Sequence, residues 1–496
     1  MRLLSTSLGA WDTIEADHKG THGITFPLAL VHAVLRDGGY PEPECWEGPQ
    51  RPSGPWEMLL ISAMDPRHFW RIPGFLRTAG CPVRAAERGE ADPIVVMGGQ
   101  AATAPAPVGP FVDVVFIGEA EAGVLEMMEA LTGPGSRRER LARAALVEGV
   151  WVPEIHPPGH VVRQRFAADI STSLRHLTSV SLRTIHRVEI ARGCQSKCGF
   201  CVLGWRAPYR ENSGEAVADA LRRSLDAGVT EVHLSAGDAE AHHQIQHIRE
   251  TVYDLGIRDH GWTGRLDTMR DCSVSAGKLF AFGIEGMSHR LRRALGKPRL
   301  TDDYILEEMV AFWEAGGRRS MWHLIGGVPY ESDDDAAEFT ALLARLRREA
   351  PRDARLHLEI GRQPFGPMPH TPMQWYPPGL TTERVGRAIA AAGRSSGSLT
   401  FDEKAGQTER SALYSVLPMR GGAEVAPLIE AGAPKLGMSP RPDWIRWVRS
   451  AGLNPARYLG RWNPDAPTPW EWVESAFSKE SVRRGFAHID RVLTGS

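Results

Sequence analysis

The stretch RGCQSKCGFC, residues 192–201, carries three cysteines in the order Cys-x-x-x-Cys-x-x-Cys. Cys194, Cys198 and Cys201 bring three soft thiolates into one short loop, and soft sulfur ligands favour iron–sulfur chemistry. A four-iron cluster normally takes four cysteines, so a cluster held here keeps one iron open to another ligand. The alternatives are a zinc knuckle or three unrelated core thiols. Structural zinc sites use four ligands, usually as two separated pairs, and no second pair follows this loop in the sequence.

This loop resembles the signature of the radical SAM superfamily, and the resemblance extends beyond the cysteines. It implies that the open iron of a 4Fe–4S cluster chelates the methionyl amine and carboxylate of S-adenosylmethionine (SAM). One electron from the cluster then breaks a carbon–sulfur bond and gives a 5′-deoxyadenosyl radical. Phe200, just before the third cysteine, matches the aromatic position that packs beside the adenine in that family.

Length and composition predict a folded protein of several domains. The chain has 496 residues, too many for one hydrophobic core, which predicts two or three domains. A formal net charge of −2 gives no electrostatic sign of a nucleic-acid or membrane partner. No stretch approaches the ~20 apolar residues of a membrane span, and the first residues do not resemble a signal peptide. Six cysteines with three in one motif favour the cytoplasm over a disulfide framework. The scattered Cys45, Cys81 and Cys272 are predicted to be plain thiols.

The first 150 residues alternate strand and helix patterns. Apolar runs at 58–64 and 93–99 predict buried parallel strands, and a third strand is predicted within 112–121. Strands that alternate with helices predict a doubly wound parallel sheet. Gly98 and Gly99 then lie at the carboxyl edge, where such folds bind ligands. From these residues alone, a tight turn is the simpler explanation of the two glycines.

The same region resembles the N-terminal domain of cobalamin-binding radical SAM proteins, through PLAL…VLRDGGY, LLIS, VVMGG and DVVFIGEAE. The resemblance implies that Ser62, Gly98 and Gly99 line the tail of a bound cobalamin. Many cobalamin domains carry Asp-x-His-x-x-Gly, whose His binds cobalt. Asp65 and His68 have a different spacing and no following glycine. Some relatives without that His bind cobalamin and others have lost it, so the resemblance leaves this cofactor open.

The central region, 182–365, repeats a strand followed by a helix six times. Ser213 is the predicted N-cap of the first of these helices. Six β/α units predict a partial, open relative of the TIM barrel, with chemistry at the carboxyl ends of its strands. The strands are predicted within HRVEIARG, TEVHLSAGD, WTGRLDTMRD, LFAFGIEG, SMWHLIGGVP and RLHLEIGRQPF.

Several of these strand ends resemble SAM-binding positions of the family. Gly237 and Asp238 end the second strand, where relatives hold the methionyl amine, and a carboxylate suits an ammonium group. A turn with a solvated Asp is the alternative. The segments 283–298 and 323–335 resemble the family's Gly-Ile-Glu-x-x-Ser-x-Arg and Ile-x-Gly-x-Pro-x-Glu patterns. The resemblance implies a SAM site made of Phe200, Gly237, Asp238, Arg270, Glu285, Ser288, Arg290 and Ile325.

The C-terminal region begins with PFGPMPHTPMQWYPPG, residues 364–379, whose prolines exclude a long helix. The segment resembles Pro-x-Pro-His-Thr-Pro-Phe-Gln-Trp of the cobalamin-type group, a position near the mouth of the barrel. A rigid structural crossing is the equal alternative. Two Trp-rich segments, 443–459 and 468–486, predict helices that cap the barrel. The candidate substrate contacts are His370, Thr371, Gln374 and Trp375.

The predicted α/β architecture has four parts. Residues 1–150 are predicted to form a Rossmann-like, cobalamin-binding-type domain, and 151–181 a linker. Residues 182–365 are predicted to form the partial (β/α)6 radical SAM barrel, and 366–496 a mainly helical capping and substrate region.

The leading hypothesis for function is a cobalamin-dependent radical SAM methyltransferase acting on an unactivated carbon. The main alternative is a cobalamin-independent radical SAM enzyme whose N-terminal domain recognises substrate. A tRNA methylthiotransferase needs three further N-terminal cysteines, and only Cys45 and Cys81 lie in that region. A non-catalytic iron–sulfur scaffold or sensor is also disfavoured, because the SAM-binding motifs are intact. The resemblance implies an external electron donor of the flavodoxin or ferredoxin type. The sequence identifies neither the substrate nor a catalytic side chain.

Overall fold

The protein is a mixed α/β chain, seen here in a computed structural model. The structure describes residues 1–8, 26–46, 52, 54–175, 186–259, 264–268, 279–360, 364–392, 412–432 and 441–495. Its strands are β1 (Leu3–Ser7), β2 (Glu44–Cys45), β3 (Met58–Ser62), β4 (Ile94–Gly98), β5 (Val114–Phe116), β6 (Val150–Trp151), β7 (Val162–Arg163), β8 (His186–Glu189), β9 (Ala191–Arg192), β10 (Arg210–Glu211), β11 (Glu231–Ser235), β12 (Arg258–Asp259), β13 (Leu279–Glu285), β14 (Arg319–Leu324), β15 (Arg355–Ile360) and β16 (Val473–Glu474).

The α-helices lie between and after these strands. In chain order they are α1 (Phe26–Asp37), α2 (Ile72–Ala79), α3 (Val124–Thr132), α4 (Arg137–Ala144), α5 (Leu203–Arg206), α6 (Gly214–Asp226), α7 (Ile245–Asp254), α8 (His289–Ala294), α9 (Asp302–Glu314), α10 (Asp333–Glu349), α11 (Glu383–Ala391), α12 (Ala412–Arg420), α13 (Ala426–Ala431), α14 (Arg441–Ser450), α15 (Pro455–Leu459) and α16 (Lys479–Thr494).

The N-terminal strands form one six-stranded sheet in the order β2-β1-β3-β4-β5-β6, parallel except for β6. All three strands predicted from the apolar runs are present as β3, β4 and β5. The sequence prediction missed β1, which pairs with β3 in the middle of the sheet. Three of the five residues of β1 are Ser or Thr, yet all five are buried. Its polar composition explains the miss, because a buried parallel strand usually consists of apolar residues.

Each face of this sheet packs on its own layer of helices. One face carries α1, α3 and α4, whose apolar stripes meet β-strand residues such as Leu60 and Val96. The other face carries α2 together with α12 to α15, through residues such as Trp444 and Tyr458. The prediction that residues 443–459 cap the barrel is therefore wrong. Their Trp and Tyr side chains instead complete the second apolar layer of the N-terminal sheet.

The central strands form two three-stranded parallel sheets among the described residues. The first has the order β12-β11-β8 and the second β13-β14-β15. The third predicted strand, within WTGRLDTMRD, is represented by a parallel bridge between Gly264 and Phe282. Residues 260–263 and 269–278 lie outside the described part. The described strands do not close into a barrel, so the partial (β/α)6 barrel stays a prediction.

Several helices between these strands begin at a side chain that accepts a free backbone N–H group. Ser213 caps α6 by accepting from Ala216 N, as predicted. Thr301 caps α9 in the same way. Ser332 and Asp335 form a reciprocal capping box at α10, with three aspartates in its first turn. These caps and charges suit the helix dipole and fix where each helix leaves its strand.

The last helix, α16, packs on the central core rather than on the N-terminal sheet. Phe486, Ile489 and Leu493 of α16 are buried in the same apolar cluster as β13 and β14. Between α15 and α16, strand β16 pairs with β7, and this pairing ties the C-terminal region to residues 162–163. Within the described residues, no helix is both long and apolar enough to cross a membrane.

We predict that Gly99→Ala destabilises the protein while Gly98→Ala does not. Gly99 has φ +96°, and a Cβ there would lie 2.6 Å from Ala63 O. A residue forced into this conformation costs about 1–3 kcal/mol. At Gly98 the nearest atom to an added Cβ is Phe116 O at 3.9 Å, an ordinary contact. Thermal unfolding measures both variants, and equal melting temperatures for the two would contradict this account.

Candidate active site

The three cysteines of the motif lie in the loop between β9 and α5. Cys194 is 7% exposed and Cys198 is 8% exposed, and all three are free thiols. The backbone N–H of Cys201 donates to Cys198 O at 3.2 Å, which makes this half of the loop a tight turn. Burial raises the pKa of Cys194 and Cys198, and raises that of Cys201 to about 12. The loop therefore gathers three thiols in a largely water-excluded pocket.

The end of β11 lies directly against this loop. A Cβ at Gly237 would meet Gly193 O at 2.6 Å and Cys194 Cβ at 3.0 Å, so the approach requires glycine. Asp238 follows at 1% exposure and accepts a hydrogen bond from Thr268 Oγ1 at 2.9 Å. Burial raises the pKa of Asp238. The structure thus brings the predicted Gly-Asp pair next to the first cysteine.

Arg265 contacts the second cysteine, an interaction that the sequence analysis missed. Its Nη1 donates to Cys198 Sγ at 2.9 Å. The guanidinium is held from behind by Asp267, with bonds of 3.0 and 2.8 Å, and also donates to Gly296 O. The predicted Arg270 lies outside the described residues. Among the described residues of this segment, Arg265 lies beside the second cysteine.

Glu285, at the end of β13, lies close enough to Cys198 and Cys201 for its charge to act on both thiols. It has φ +61° and pairs with Lys297, whose Nζ lies 3.0 Å from Glu285 Oε1. Burial raises the pKa of Cys198 and Cys201, and the Glu285 charge adds to that effect. Ile325 N donates to Glu285 O at 2.8 Å, which joins the end of β14 to this position. Glu285 and Ile325 are therefore part of the region around the cysteines.

Ser288 and Arg290 do not join this group in the structure. Ser288 caps α8 and donates through Oγ to Asp335 Oδ1 at 2.5 Å. Arg290 pairs with Asp335 Oδ2 at 2.5 Å and donates to Leu493 O at the end of α16. These contacts fasten α8 to α10 and α16. A role for either side chain in SAM binding stays a prediction.

The proline-punctuated segment covers the cysteine loop from the C-terminal side. Met373 N donates to Gly199 O at 3.0 Å. A Cβ at Gly199 would lie 2.3 Å from Cδ1 of Ile489 in α16, so helix and loop are in close contact. Phe200 is partly buried against the same apolar cluster. The cysteine loop is thus enclosed by residues far away in sequence.

Four candidate substrate contacts in this segment are engaged with the protein itself. Thr371 and Trp375 are fully buried, and Thr371 Oγ1 donates to Met368 O. Gln374 Oε1 accepts from His370 N and from Trp470 Nε1, both at 2.9 Å. His370 Nε2 lies 2.9 Å from Thr103 O, and burial lowers the pKa of His370 to about 4. This arrangement favours the structural crossing, and substrate contact stays a prediction.

Arg192, immediately before the cysteine loop, ties it to the N-terminal sheet. Its guanidinium pairs with Glu189 at 2.6 Å, with Glu121 at 2.6 Å and with Glu119 at 3.1 Å. Glu119 and Glu121 follow β5 of the N-terminal sheet. Arg210 on β10 also pairs with Glu119, at 2.5 Å. These mostly buried ion pairs hold the carboxyl edge of that sheet against the central region.

A cavity of about 830 Å³ opens between the two parts that Arg192 joins. This volume lies within the range of small-molecule and cofactor sites. Helices α1 and α3 supply apolar walls, including Leu28 and Met128. The carboxyl ends of β3, β4 and β5 form its floor, while the start of the cysteine loop and the end of β11 form its far side.

The three predicted cobalamin-tail residues all line this cavity. Ser62 is 6% exposed, and its Oγ has no hydrogen-bond partner among the described residues. Gly98 and Gly99 let the backbone form the cavity surface at the end of β4. An unpaired buried hydroxyl and a bare backbone edge fit a polar ligand group placed at this edge.

Comparison with known proteins identifies the central region. The model of the radical SAM superfamily matches residues 188–343, and the model described as "Radical SAM proteins, N-terminal" matches residues 50–153. The chain belongs to the radical SAM superfamily. The predicted resemblance is confirmed.

Solved structures similar to this radical SAM protein were also found. One is the radical SAM methyltransferase TsrM from Kitasatospora setae with cobalamin and a 4Fe–4S cluster bound. It has 13% identity and a TM-score of 0.48, covering 76% of this chain and 74% of that one. TsrM with tryptophan substrate and a SAM analogue has 13% identity and a TM-score of 0.49, covering 90% and 99%. SuiB from Streptococcus suis bound to its precursor peptide has 13% identity and a TM-score of 0.31, covering 44% and 48%. No curated protein matches the sequence.

Membership of this superfamily assigns a 4Fe–4S cluster and SAM to the chain. Among the described residues, no three Cys, His, Asp or Glu side chains are arranged to hold a single metal ion. An iron–sulfur cluster does not require the three side chains to converge on one ion, because each thiolate binds its own iron atom. Three soft thiols in one buried loop suit that donor set, and the buried Asp238 beside Cys194 suits the ammonium group of SAM.

We predict that Asp238→Asn weakens SAM binding about tenfold to a hundredfold and leaves the cluster in place. The change removes the carboxylate that faces the ammonium, and such a charge-assisted bond contributes ~1.5–3 kcal/mol. SAM titration of the cluster-loaded protein gives the dissociation constant. Asp226→Asn, at an exposed position at the end of α6, is the matched control. An unchanged constant for Asp238→Asn would move amine binding to another residue.

We predict that Arg265→Gln makes the reduction potential of the cluster more negative. The variant removes a positive charge and an N–H donor from the Cys198 sulfur, and both stabilise the reduced cluster. A potentiometric titration followed by EPR measures the shift. Arg265→Gln/Asp267→Asn keeps the net charge constant and should show a smaller shift in the same direction. If both variants keep the wild-type potential, Arg265 does not contact the loaded site.

Proposed function

We propose that this radical SAM enzyme is a cobalamin-dependent methyltransferase that acts on an unactivated carbon. The observation that carries the proposal is the cavity of about 830 Å³ between the N-terminal sheet edge and the cysteine loop. It borders Ser62, Gly98 and Gly99 on one side, and Arg192, Gly193 and Gly237 on the other. A ligand in this space would therefore touch the corrinoid-type sheet edge and approach the cluster loop at once.

The chemistry of the cavity walls supports a corrinoid. Its apolar helical walls suit the macrocycle, and the unpaired Ser62 Oγ suits a polar group of the nucleotide tail. Glu121 Oε2 is also buried without a partner among the described residues, while Oε1 accepts from Arg192. This oxygen suits an amide N–H, and the rim of a corrin carries several amide side chains. The unpaired groups are thus of the kinds that a corrinoid satisfies.

The protein supplies no imidazole of the Asp-x-His-x-x-Gly type. His68 Nδ1 accepts a hydrogen bond from Met64 N at 3.3 Å, inside the turn that follows β3. Asp65 pairs with Arg67 at 2.8 Å and starts the same turn. Both side chains are used by the local structure. We therefore propose that His68 would not serve as a cobalt ligand for a bound corrinoid.

In this proposal, some residues of the chain bind the cluster and SAM, and others exclude water from them. Bound cluster, SAM and cobalamin supply the electron, the adenosyl group and the methyl group. Cys194, Cys198 and Cys201 hold the cluster, and Asp238 orients the methionyl end of SAM. Burial of the loop by Met373 and Ile489 excludes water from reactive species. We further propose that the electron comes from an external flavodoxin- or ferredoxin-type donor.

The test is corrinoid retention by the full chain. Cluster-loaded protein is incubated with hydroxocobalamin, freed of excess and analysed for cobalt and for SAM binding. We expect one corrinoid per wild-type chain. Gly98→Leu should lose it but keep the cluster and SAM, because Gly98 lines the cavity and has room for a Cβ.

The axial ligand is tested in the same sample. The cobalt(II) EPR spectrum should be unchanged by ¹⁵N-labelling of the protein's histidines, because His68 would not bind cobalt. Failure of the wild type to retain corrinoid, while cluster and SAM both bind, would overturn the proposal. It would instead support a cobalamin-independent radical SAM enzyme whose N-terminal domain recognises substrate.

A further inference from the structure

Arg206 is a charged side chain in the cavity wall that the mechanism above does not use. It ends α5, five residues after the last cysteine of the motif. Its guanidinium makes no hydrogen bond or ion pair within the described residues, and its Nε is buried without an acceptor. Burial lowers the pKa of Arg206 to about 10, which still leaves it protonated at neutral pH. A half-buried cation whose Nε is buried without an acceptor is costly, so it calls for an explanation.

The nearby carboxylates are already engaged with other arginines. The Glu119 charge acts on Arg206, but both Glu119 oxygens accept from Arg210. Glu119 Oε2 also accepts from Ala167 N and lies 3.1 Å from Arg192. Glu121 pairs with Arg192, and its second oxygen has no partner. Within the described residues, Arg206 thus has no direct counter-ion.

Arg206 is half-buried and lies in the walls of two cavities. It lines the large cavity and also a small pocket formed by Pro66, Gln100, Thr103 and His370. His370 is neutral at physiological pH and donates to Thr103 O, so it supplies no negative charge. Gln100 and Thr103 follow Gly99, the residue directly after β4. The guanidinium therefore lies beside the same sheet edge as the proposed corrinoid tail.

We infer that Arg206 is the recognition residue for an anionic oxygen group, a phosphate or a carboxylate, of the molecule that fills the cavity. Arginine presents planar N–H donors that match such groups with two bonds at once. Two sources fit: the phosphodiester of a corrinoid nucleotide tail, or an acidic group on the substrate. Only the first source rests on the proposed function, since anion recognition by Arg206 stands without cobalamin.

The first experiment uses inorganic phosphate as the probe. Thermal unfolding of the cluster-loaded full chain is followed in sodium phosphate and in sodium chloride at equal ionic strength. Phosphate should raise the melting temperature of the wild type and of the matched control Arg222→Gln, an exposed arginine on α6. It should not raise that of Arg206→Gln, and Arg206→Lys should retain part of the rise. A ligand that binds the native state stabilises it in this way.

The same experiment separates recognition from a structural role. Without phosphate, Arg206→Gln should melt no lower than the wild type, because the change removes a charge that has no partner among the described residues. A lower melting temperature would mean that Arg206 supports the fold and would contradict the inference. The inference is equally overturned if phosphate stabilises Arg206→Gln as much as the wild type, or fails to stabilise the wild type.

The second experiment identifies the source of the anion. Binding of hydroxocobalamin is compared with binding of cobinamide, which lacks the nucleotide and its phosphodiester. A loss of about tenfold or more for hydroxocobalamin in Arg206→Gln, with cobinamide unchanged, assigns the phosphodiester. Equal binding of both corrinoids by variant and wild type assigns the acidic group to the substrate. If no variant binds either corrinoid, the proposed function fails, while the phosphate experiment still decides the role of Arg206.

Discussion

The mostly buried ion pairs of Arg192 hold the two halves of the site together. This residue directly precedes the cysteine loop, and its guanidinium reaches Glu119 and Glu121 at the end of the N-terminal sheet. Removing one partner of a buried ion pair typically costs 3–5 kcal/mol, because the other charge is left buried and unpaired. The position of the cavity depends on this contact. The sheet edge that suits a large ligand faces the thiols because Arg192 and Arg210 fasten it there.

The C-terminal region reinforces this arrangement from two directions. Helices α12 to α15 complete the apolar layer on one face of the N-terminal sheet, while α16 packs on the central strands. The segment that connects to them donates from Met373 N to the cysteine loop. One continuous stretch of chain therefore contacts sheet, loop and core. Loss of packing in this region would therefore change the surroundings of the cysteine loop.

The sequence predicted those features that depend on local pattern. Four such features are present in the structure, and each depends on only a few neighbouring residues. They are the cysteine spacing, the Gly237-Asp238 pair, the Ser213 cap and strands β3 to β5. Features that depend on long-range packing were missed or misassigned. Nothing in the sequence around Arg265 distinguishes it from the other arginines, since its contact with Cys198 joins positions 67 residues apart.

Family resemblance had a similar limit. Ser288 and Arg290 match a motif associated with SAM, and in the structure both side chains bind Asp335, the last residue of the other matched segment, 323–335. Neither segment shows this contact by itself. The Trp-rich helices at 441–459 have an apolar face suited to either of two surfaces, and only the folded chain decides between them. The unpaired guanidinium of Arg206 is likewise visible only in three dimensions, because it is defined by the partners of its neighbours.

The central claim is that three cysteines hold a four-iron cluster with one iron left for SAM. Mössbauer spectroscopy of protein loaded with ⁵⁷Fe tests it most directly. The account predicts four iron atoms per chain, one of which changes its isomer shift when SAM is added while the other three do not. A chain that binds zinc in place of iron, or a cluster whose four irons all ignore SAM, would contradict it.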